Sequence, residues 1–303
     1  MTSATQRPIG VFDSGIGGLS VLRALRAELP QERFIYLADS GHAPYGERGD
    51  AYVAARTHAI AGYLQATHGI KALVVACNTA TAAAIHEVRS CYPALPLVGL
   101  EPAIKPAVGI TRTGRIGVIG TRGTLSSSKF DRLLASLRGQ AEFVVQPCDG
   151  LAYAIERSTE HEEPAPKDAT KVGALCARYI SAMGHFGSQP GQIDTLVLGC
   201  THYIFAEQVL RDLVGTGVQL VETGVPVARQ TRRLLETGAL LADAVIDASD
   251  NDAAQAIQLL TTGDLAPLRA AAHRWLELPA SCCTTVSVPA TVDHSATKVA
   301  LAQ

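Results

Sequence analysis

The chain has 303 residues, 47% of them hydrophobic and 18% charged, with a formal net charge of −2. That length can bury a sizeable core in one large domain or two of ordinary size, and the near-neutral charge gives no reason to expect nucleic acid or an anionic membrane as a partner. The opening MTSATQRPIG lacks the basic and apolar regions of a signal peptide, no apolar run reaches the roughly 18 residues of a membrane span, and seven scattered cysteines do not make a disulfide framework. The expectation is a protein of the reducing cytoplasm with free thiols.

Taken in chain order, strands are predicted at IGVFD (9–13), RFIYLAD (33–39), ALVVAC (72–77), LPLVGL (95–100), RIGVIG (115–120), EFVVQ (142–146), DTLVLGC (194–200) and VQLVE (218–222). Most are continuous apolar runs rather than alternating ones, as suits parallel strands covered on both faces. Helical patterns lie between them. Ala59, Ile60, Tyr63 and Leu64 share a face of a helix starting near Asp50, and Phe205, Val209, Leu210 and Leu213 share a face of another. Alternating strand and helix means an α/β fold with right-handed crossovers. HEEPAPKD (161–168) reads as an exposed loop, and the stretch from about Ser281 to Gln303, rich in Thr, Ser, Val and Ala, as a partly disordered tail.

The chain also looks like itself. IGVFDSGIGGLSVLRAL (9–25) parallels IGVIGTRGTLSSSKFDRLL (116–134), and LVVACNTATAAA (73–84) parallels LVLGCTHYIFA (196–206). Two similar α/β domains follow, with one strand-end cysteine from each facing a shared cleft. In parallel sheets, ligands bind outside the carboxyl ends of the strands, so polar residues there are the informative ones.

Cys77 and Cys200 stand at such ends, each followed by two hydrogen-bonding residues: Asn78 and Thr79, then Thr201 and His202. A cysteine at a helix N-terminus faces unpaired N–H groups and the positive end of the dipole, which lowers its pKa. Cys91, Cys148 and Cys176 lack that setting and read as inert thiols. Metal binding finds little support: Cys200 and His202 have no C-x-x-C or H-E-x-x-H partner, and Cys282–Cys283 are adjacent. The glycines of FDSGIGG (12–18) fail as a dinucleotide loop, because Ser20 stands where the third glycine is needed and Asp13 would repel a pyrophosphate. That turn suits a carboxylate ligand instead, with Asp13 as a base or an ammonium partner; the plain alternative is that Asp13 caps the next helix. In YLADSGHAPYGERG (36–49), Gly46 allows a close backbone approach. Two thiols across a cleft suit racemisation, which needs a base on one face of a carbon and an acid on the other, with Asp13 and His202 as helpers. No cofactor is expected; pyridoxal phosphate would need a Schiff-base lysine and a phosphate cradle.

The segments FDSGIGGLSV, PYGERG, ACNTATA and LGCTHY resemble, in order and spacing, the glutamate racemases of the aspartate/glutamate racemase superfamily, from about residue 8 to about residue 238. The resemblance implies a cofactor-independent racemase of glutamate that supplies D-glutamate for peptidoglycan. It implies two pseudo-symmetric α/β domains with the active site in the cleft between them. The first would hold residues 1–102 with 214–272, the second, inserted, residues 103–213, with 273–303 as a C-terminal tail. Cys77 and Cys200 would be the two catalytic thiols. Asp13, Ser14, Tyr45, Gly46, Asn78, Thr79, Thr121, Thr201 and His202 would contact substrate, and Glu156 falls where the family places an acidic helper of the second thiol. The chain departs from the family at Ile204, at Glu222–Thr223 and in DGLAYAIE after Cys148. An aspartate racemase, another cofactor-free isomerase of the superfamily, or a non-catalytic dicarboxylate-binding protein are the alternatives. Enzymes of this size and kind often form homodimers, which is the expectation here; no nucleic-acid or membrane partner is expected.

Overall fold

A computed structural model describes residues 3–159, 166–243 and 256–290. Its first half runs β1 (Ile9–Asp13), α1 (Leu19–Glu28), β2 (Phe34–Ala38), α2 (Asp50–His68), β3 (Ala72–Val75), α3 (Asn78–Cys91) and β4 (Leu97–Gly99). Then come α4 (Ile104–Ile110), β5 (Arg115–Gly120), α5 (Arg122–Leu125), α6 (Ser128–Ala135), β6 (Glu142–Pro147), α7 (Leu151–Ser158) and α8 (Pro166–Ala182). The chain continues through β7 (Thr195–Gly199), α9 (Glu207–Val214), β8 (Gln219–Val221), α10 (Gly224–Thr237), β9 (Ile257–Thr261), α11 (Leu265–Leu276) and β10 (Cys283–Thr285).

The strands form two wholly parallel sheets, ordered β10-β9-β2-β1-β3-β4 and β6-β5-β7-β8. The order β2-β1-β3-β4 is repeated by β6-β5-β7-β8, so the paired sequence segments do occupy equivalent places. β1, β2, β3 and β7 are buried at every position, as their unbroken apolar runs require when helices cover both faces. On one face of the six-stranded sheet Val11, Val74 and Leu259 pack with Leu22 of α1, Leu235 of α10 and Leu268 of α11. On the other, Val75 and Leu37 meet Ile60 of α2 and Ile85 of α3. The smaller sheet is sandwiched the same way, with Ile155, Cys176 and Leu210 on one side and Ile104, Phe130 and Leu133 on the other.

Several expectations shift. β8 pairs with β7, so the smaller sheet extends past residue 213, and the chain rejoins the first sheet through α10. β9 and β10 carry no strand expectation; β9 pairs with β2, and β10 extends the sheet beyond β9, so Cys283–Thr285 is ordered strand rather than tail. The tail residues 291–303 lie outside the described residues. So do 160–165 of the expected loop, while Pro166–Asp168 already belong to α8. Phe205 sits in a 3₁₀ turn, Tyr203–Ala206, ahead of α9, so it is out of phase with that helix, and Leu213 is solvent-facing. Among the described residues no helix is long and apolar enough to cross a membrane.

Candidate active site

A cleft enclosing about 650 Å³, open mouth included, lies between the sheets at the carboxyl ends of β1, β3, β5 and β7. These are the strands where the order turns back on itself in each sheet, the place where crossovers leave on opposite faces and open a crevice. Of the expected site residues, Asp13, Ser14, Tyr45, Gly46, Cys77, Asn78, Thr79, Thr121, Glu156, Cys200, Thr201 and His202 all line it.

On the β1–β3 side, Cys77 caps α3: the Ala80 N–H donates to Sγ at 3.4 Å. The expected depression of its pKa is not what results. Burial pushes the thiol up, the nearby Asp13 charge adds to it, and the Ala80 and Ser14 hydrogen bonds do not compensate. Cys77 is only 5% exposed, so desolvation dominates the helix terminus. Its Sγ donates to Ser14 Oγ at 3.8 Å, and Ser14 Oγ to Asp13 Oδ1 at 3.5 Å, so Ser14 stands between thiol and carboxylate. Asp13 accepts the Ser14 N–H at 2.8 Å and the Gly18 N–H at 2.5 Å, which holds the glycine turn, while the N-cap of α1 is Gly18 rather than Asp13. Burial raises its pKa to about 6, and the Glu156 charge assists; His202 and the two N–H groups pull it back.

On the β5–β7 side, Cys200 precedes a 3₁₀ turn, not an α-helix, so its partner is a side chain. His202 Nδ1 is 3.8 Å from its Sγ, and His202 Nε2 is 2.6 Å from Glu156 Oε2. Burial pushes the imidazole down, but the bonds to Cys200 and Glu156 outweigh it and lift the ring well above its usual range. A cationic ring then donates from Nε2 to Glu156 and from Nδ1 toward the sulfur. Glu156 reaches across the cleft, accepting the Ile16 N–H at 3.1 Å and the Ser40 hydroxyl at 3.3 Å. Thr201 Oγ1 likewise donates to Asp13 Oδ2 at 3.3 Å. Thr79 Oγ1 is 3.0 Å from Thr121 Oγ1, joining the halves again.

Asn78 is 4% exposed, and both its Oδ1 and its Nδ2 lack a hydrogen-bond partner. A buried amide left unpaired is costly, and beside a cleft it is ready for a polar ligand. The Tyr45 hydroxyl is committed to Asp39 Oδ2 at 2.6 Å, so the expected substrate contact at Tyr45 does not come from the phenol. Sequence reasoning missed Cys148, Asp149, Tyr153, Arg122 and Glu47 in the lining. Cys148, expected to be an inert thiol, is buried, and burial raises its thiol, yet it borders the cleft. Nothing local in DGLAYAIE marks Asp149 or Tyr153; only the parallel with the first half places this loop after a strand end. Among the described residues no group of three or more His, Cys, Asp or Glu is arranged to hold a metal ion.

Two buried thiols from two equivalent sheets thus line one cleft, each beside a titratable group, in the arrangement expected of a cofactor-free isomerase site. A family model described as Asp/Glu/Hydantoin racemase matches residues 17–231, and the chain belongs to that family. The glutamate racemase of Ectopseudomonas mendocina is 46% identical over 266 residues, covering 88% of this chain and 93% of its own. A glutamate racemase isoform from Bacillus anthracis superposes with a TM-score of 0.78 at 29% identity, over 94% of this chain and 99% of that one. The Francisella tularensis glutamate racemase in complex with D-glutamate gives 0.75 at 25% identity, over 95% and 100%. Within the family this isomerase falls among the glutamate racemases.

Proposed function

We propose that the protein interconverts L- and D-glutamate by a two-thiol proton transfer at the α-carbon, without a cofactor, and supplies D-glutamate for peptidoglycan in the cytoplasm. The observation that carries the reading is the pair of buried cysteines, one from each sheet, lining one cleft with separate proton partners. One sulfur, as thiolate, takes the α-proton from one face of the substrate. The other, as thiol, returns a proton to the opposite face, and the reverse reaction exchanges their roles. Cys77 passes its proton toward Asp13 through Ser14; Cys200 exchanges with His202, which Glu156 holds. The paired sulfurs supply both the base and the acid of the step. The unpaired Asn78 amide, with Thr79, Thr121, Thr201 and the Tyr45–Gly46 backbone, provides the donors for substrate carboxylates. The expected homodimer belongs to the same reading, and light scattering tests it.

The test is incorporation of solvent deuterium at the α-carbon of each glutamate enantiomer, with a chelator present and no cofactor added. Exchange with loss of optical activity supports the assignment. Tight glutamate binding without exchange would reduce the protein to a dicarboxylate binder, and faster exchange of aspartate would move the substrate. Growth of a D-glutamate auxotroph on expression of the chain tests the metabolic role.

A further inference from the structure

We propose that the buried Asp39 carboxylate is a positioning residue for the cleft-lining Tyr45–Gly46 turn, held in that role by Arg56 of α2 and by Thr262 at the end of β9. The inference rests on reading the cleft as a glutamate site. Asp39 follows β2 and is fully buried. Its backbone N–H donates to the Asp13 carbonyl at 2.9 Å, which fixes it beside the first catalytic loop. Its carboxylate is saturated. Oδ2 accepts the Tyr45 hydroxyl at 2.6 Å and Arg56 Nε at 3.0 Å. Oδ1 accepts Arg56 Nη2 at 2.9 Å and Thr262 Oγ1 at 2.7 Å, and His42 Nδ1 lies 3.0 Å away.

This is the planar, two-point guanidinium–carboxylate match, which fixes direction as well as distance. Arg56 is anchored in turn, its Nη1 donating to the Val288 carbonyl at 3.4 Å. Burial, and then the Asp39 charge, push the Tyr45 phenol well above its usual range, so it remains a donor. A buried ion pair is weak support for stability, since apolar side chains of similar volume often serve as well. What the pair supplies is a defined orientation for Tyr45, whose ring packs 6.2 Å from Phe12 and 6.5 Å from Tyr52. The next residue tolerates little displacement: a Cβ on Gly46 would stand 2.7 Å from Thr121 Cβ, and Thr121 is bonded to Thr79. The carboxylate thus links the end of β9, through the following Thr262, to the cleft wall where the two halves meet.

The experiment compares Tyr45→Phe, Thr262→Val and Thr262→Ser in the full-length protein, with racemisation kinetics on both glutamate enantiomers and thermal unfolding. Tyr45→Phe and Thr262→Val are expected to raise KM about tenfold while kcat stays within about twofold, the pattern of lost binding geometry rather than lost chemistry. Thr262→Ser, which keeps the hydroxyl, should restore KM. Unchanged KM in folded Thr262→Val would overturn the proposal even if Tyr45→Phe fails to fold. Recovery of the melting temperature but not of KM in Thr262→Ser would overturn it too. A wild-type protein that does not turn over glutamate would fail the functional reading itself and take this proposal with it, a result distinct from normal turnover that ignores the substitutions.

Discussion

At the residue scale the two thiols are built differently. Cys77 sits against a helix terminus and a buried carboxylate, Cys200 against an imidazole that carries its own carboxylate. In the proposed two-thiol mechanism, replacing either sulfur leaves one face of the substrate without its acid or base. Cys77→Ala and Cys200→Ala should each reduce racemisation by at least about 10²-fold in both directions, measured by circular dichroism. Because removal of one thiol leaves the other in place, each variant should still wash deuterium into one enantiomer more readily than the other; equal loss of exchange from both would contradict separate faces. Asp13 gives a pH prediction. Its pKa of about 6 means that the carboxylate protonates as pH falls through that value and, in the proposed relay, can no longer take the proton arriving from Cys77. kcat/KM should therefore drop below about pH 6, and Asp13→Asn should remove that limb of the profile. Stability runs the other way. The folded state raises Asp13 from 3.8 to about 6, so it holds this proton more tightly than the unfolded chain. The resulting stabilisation is full below about pH 4 and is lost as pH rises to about 6.

At the element scale, the turn between β1 and α1 explains why glycines recur in FDSGIGG. Gly15 is not in the left-handed region, so its need is for space. A Cβ there would stand 2.5 Å from Glu156 Oε2 and 2.6 Å from Oε1, and one on Gly17 would meet His202 Nδ1 at 2.4 Å. Gly15→Ala must displace the carboxylate that holds His202 and the Ile16 N–H. We expect kcat/KM to fall at least about tenfold, near 1.4 kcal/mol of transition-state stabilisation, with little change in the unfolding midpoint. A large loss of stability with normal kinetics would show that the turn is structural only. The same scale explains the sequence readings that held. IGVFD, RIGVIG and DTLVLGC are short, continuous and β-rich, and each forms a buried parallel strand at or within a residue or two of its expected place. IQLLT of β9 has a similar local character but follows residues with no helical periodicity to frame it, and CTT of β10 is too short for any pattern. β9 becomes a strand because β2 offers an edge with unpaired backbone groups, and β10 because β9 then offers the next.

At the scale of the whole molecule, the halves are tied across the cleft by Glu156 to Ile16, Thr201 to Asp13 and Thr79 to Thr121. The Glu47 carboxylate also accepts the Gly150 N–H at 3.2 Å. A ligand bound between them contacts both, so glutamate should stabilise the entire fold. At 100 times its dissociation constant the gain is about 2.7 kcal/mol, read as a concentration-dependent rise in melting temperature. A ligand that shifts the transition of only one half would show that the sheets unfold independently.

The sequence by itself determined the parallel α/β character, the internal duplication and the positions of both thiols, because apolar continuity and the residue after a strand are local properties. It also placed Asp13, His202 and Asn78 correctly at strand ends, since parallel strands direct their carboxyl ends to one edge. The protonation states were decided only in three dimensions: the helix terminus that should have lowered Cys77 is overridden by burial and by Asp13, which depend on how two sheets close over each other. The same holds for Ser14 between Cys77 and Asp13, for the reach of Glu156 to Ile16, and for the Asp39 carboxylate joined to Thr262, 223 positions away. Such contacts carry no local signature, because the energy of a buried polar group is set by the partners that folding brings to it.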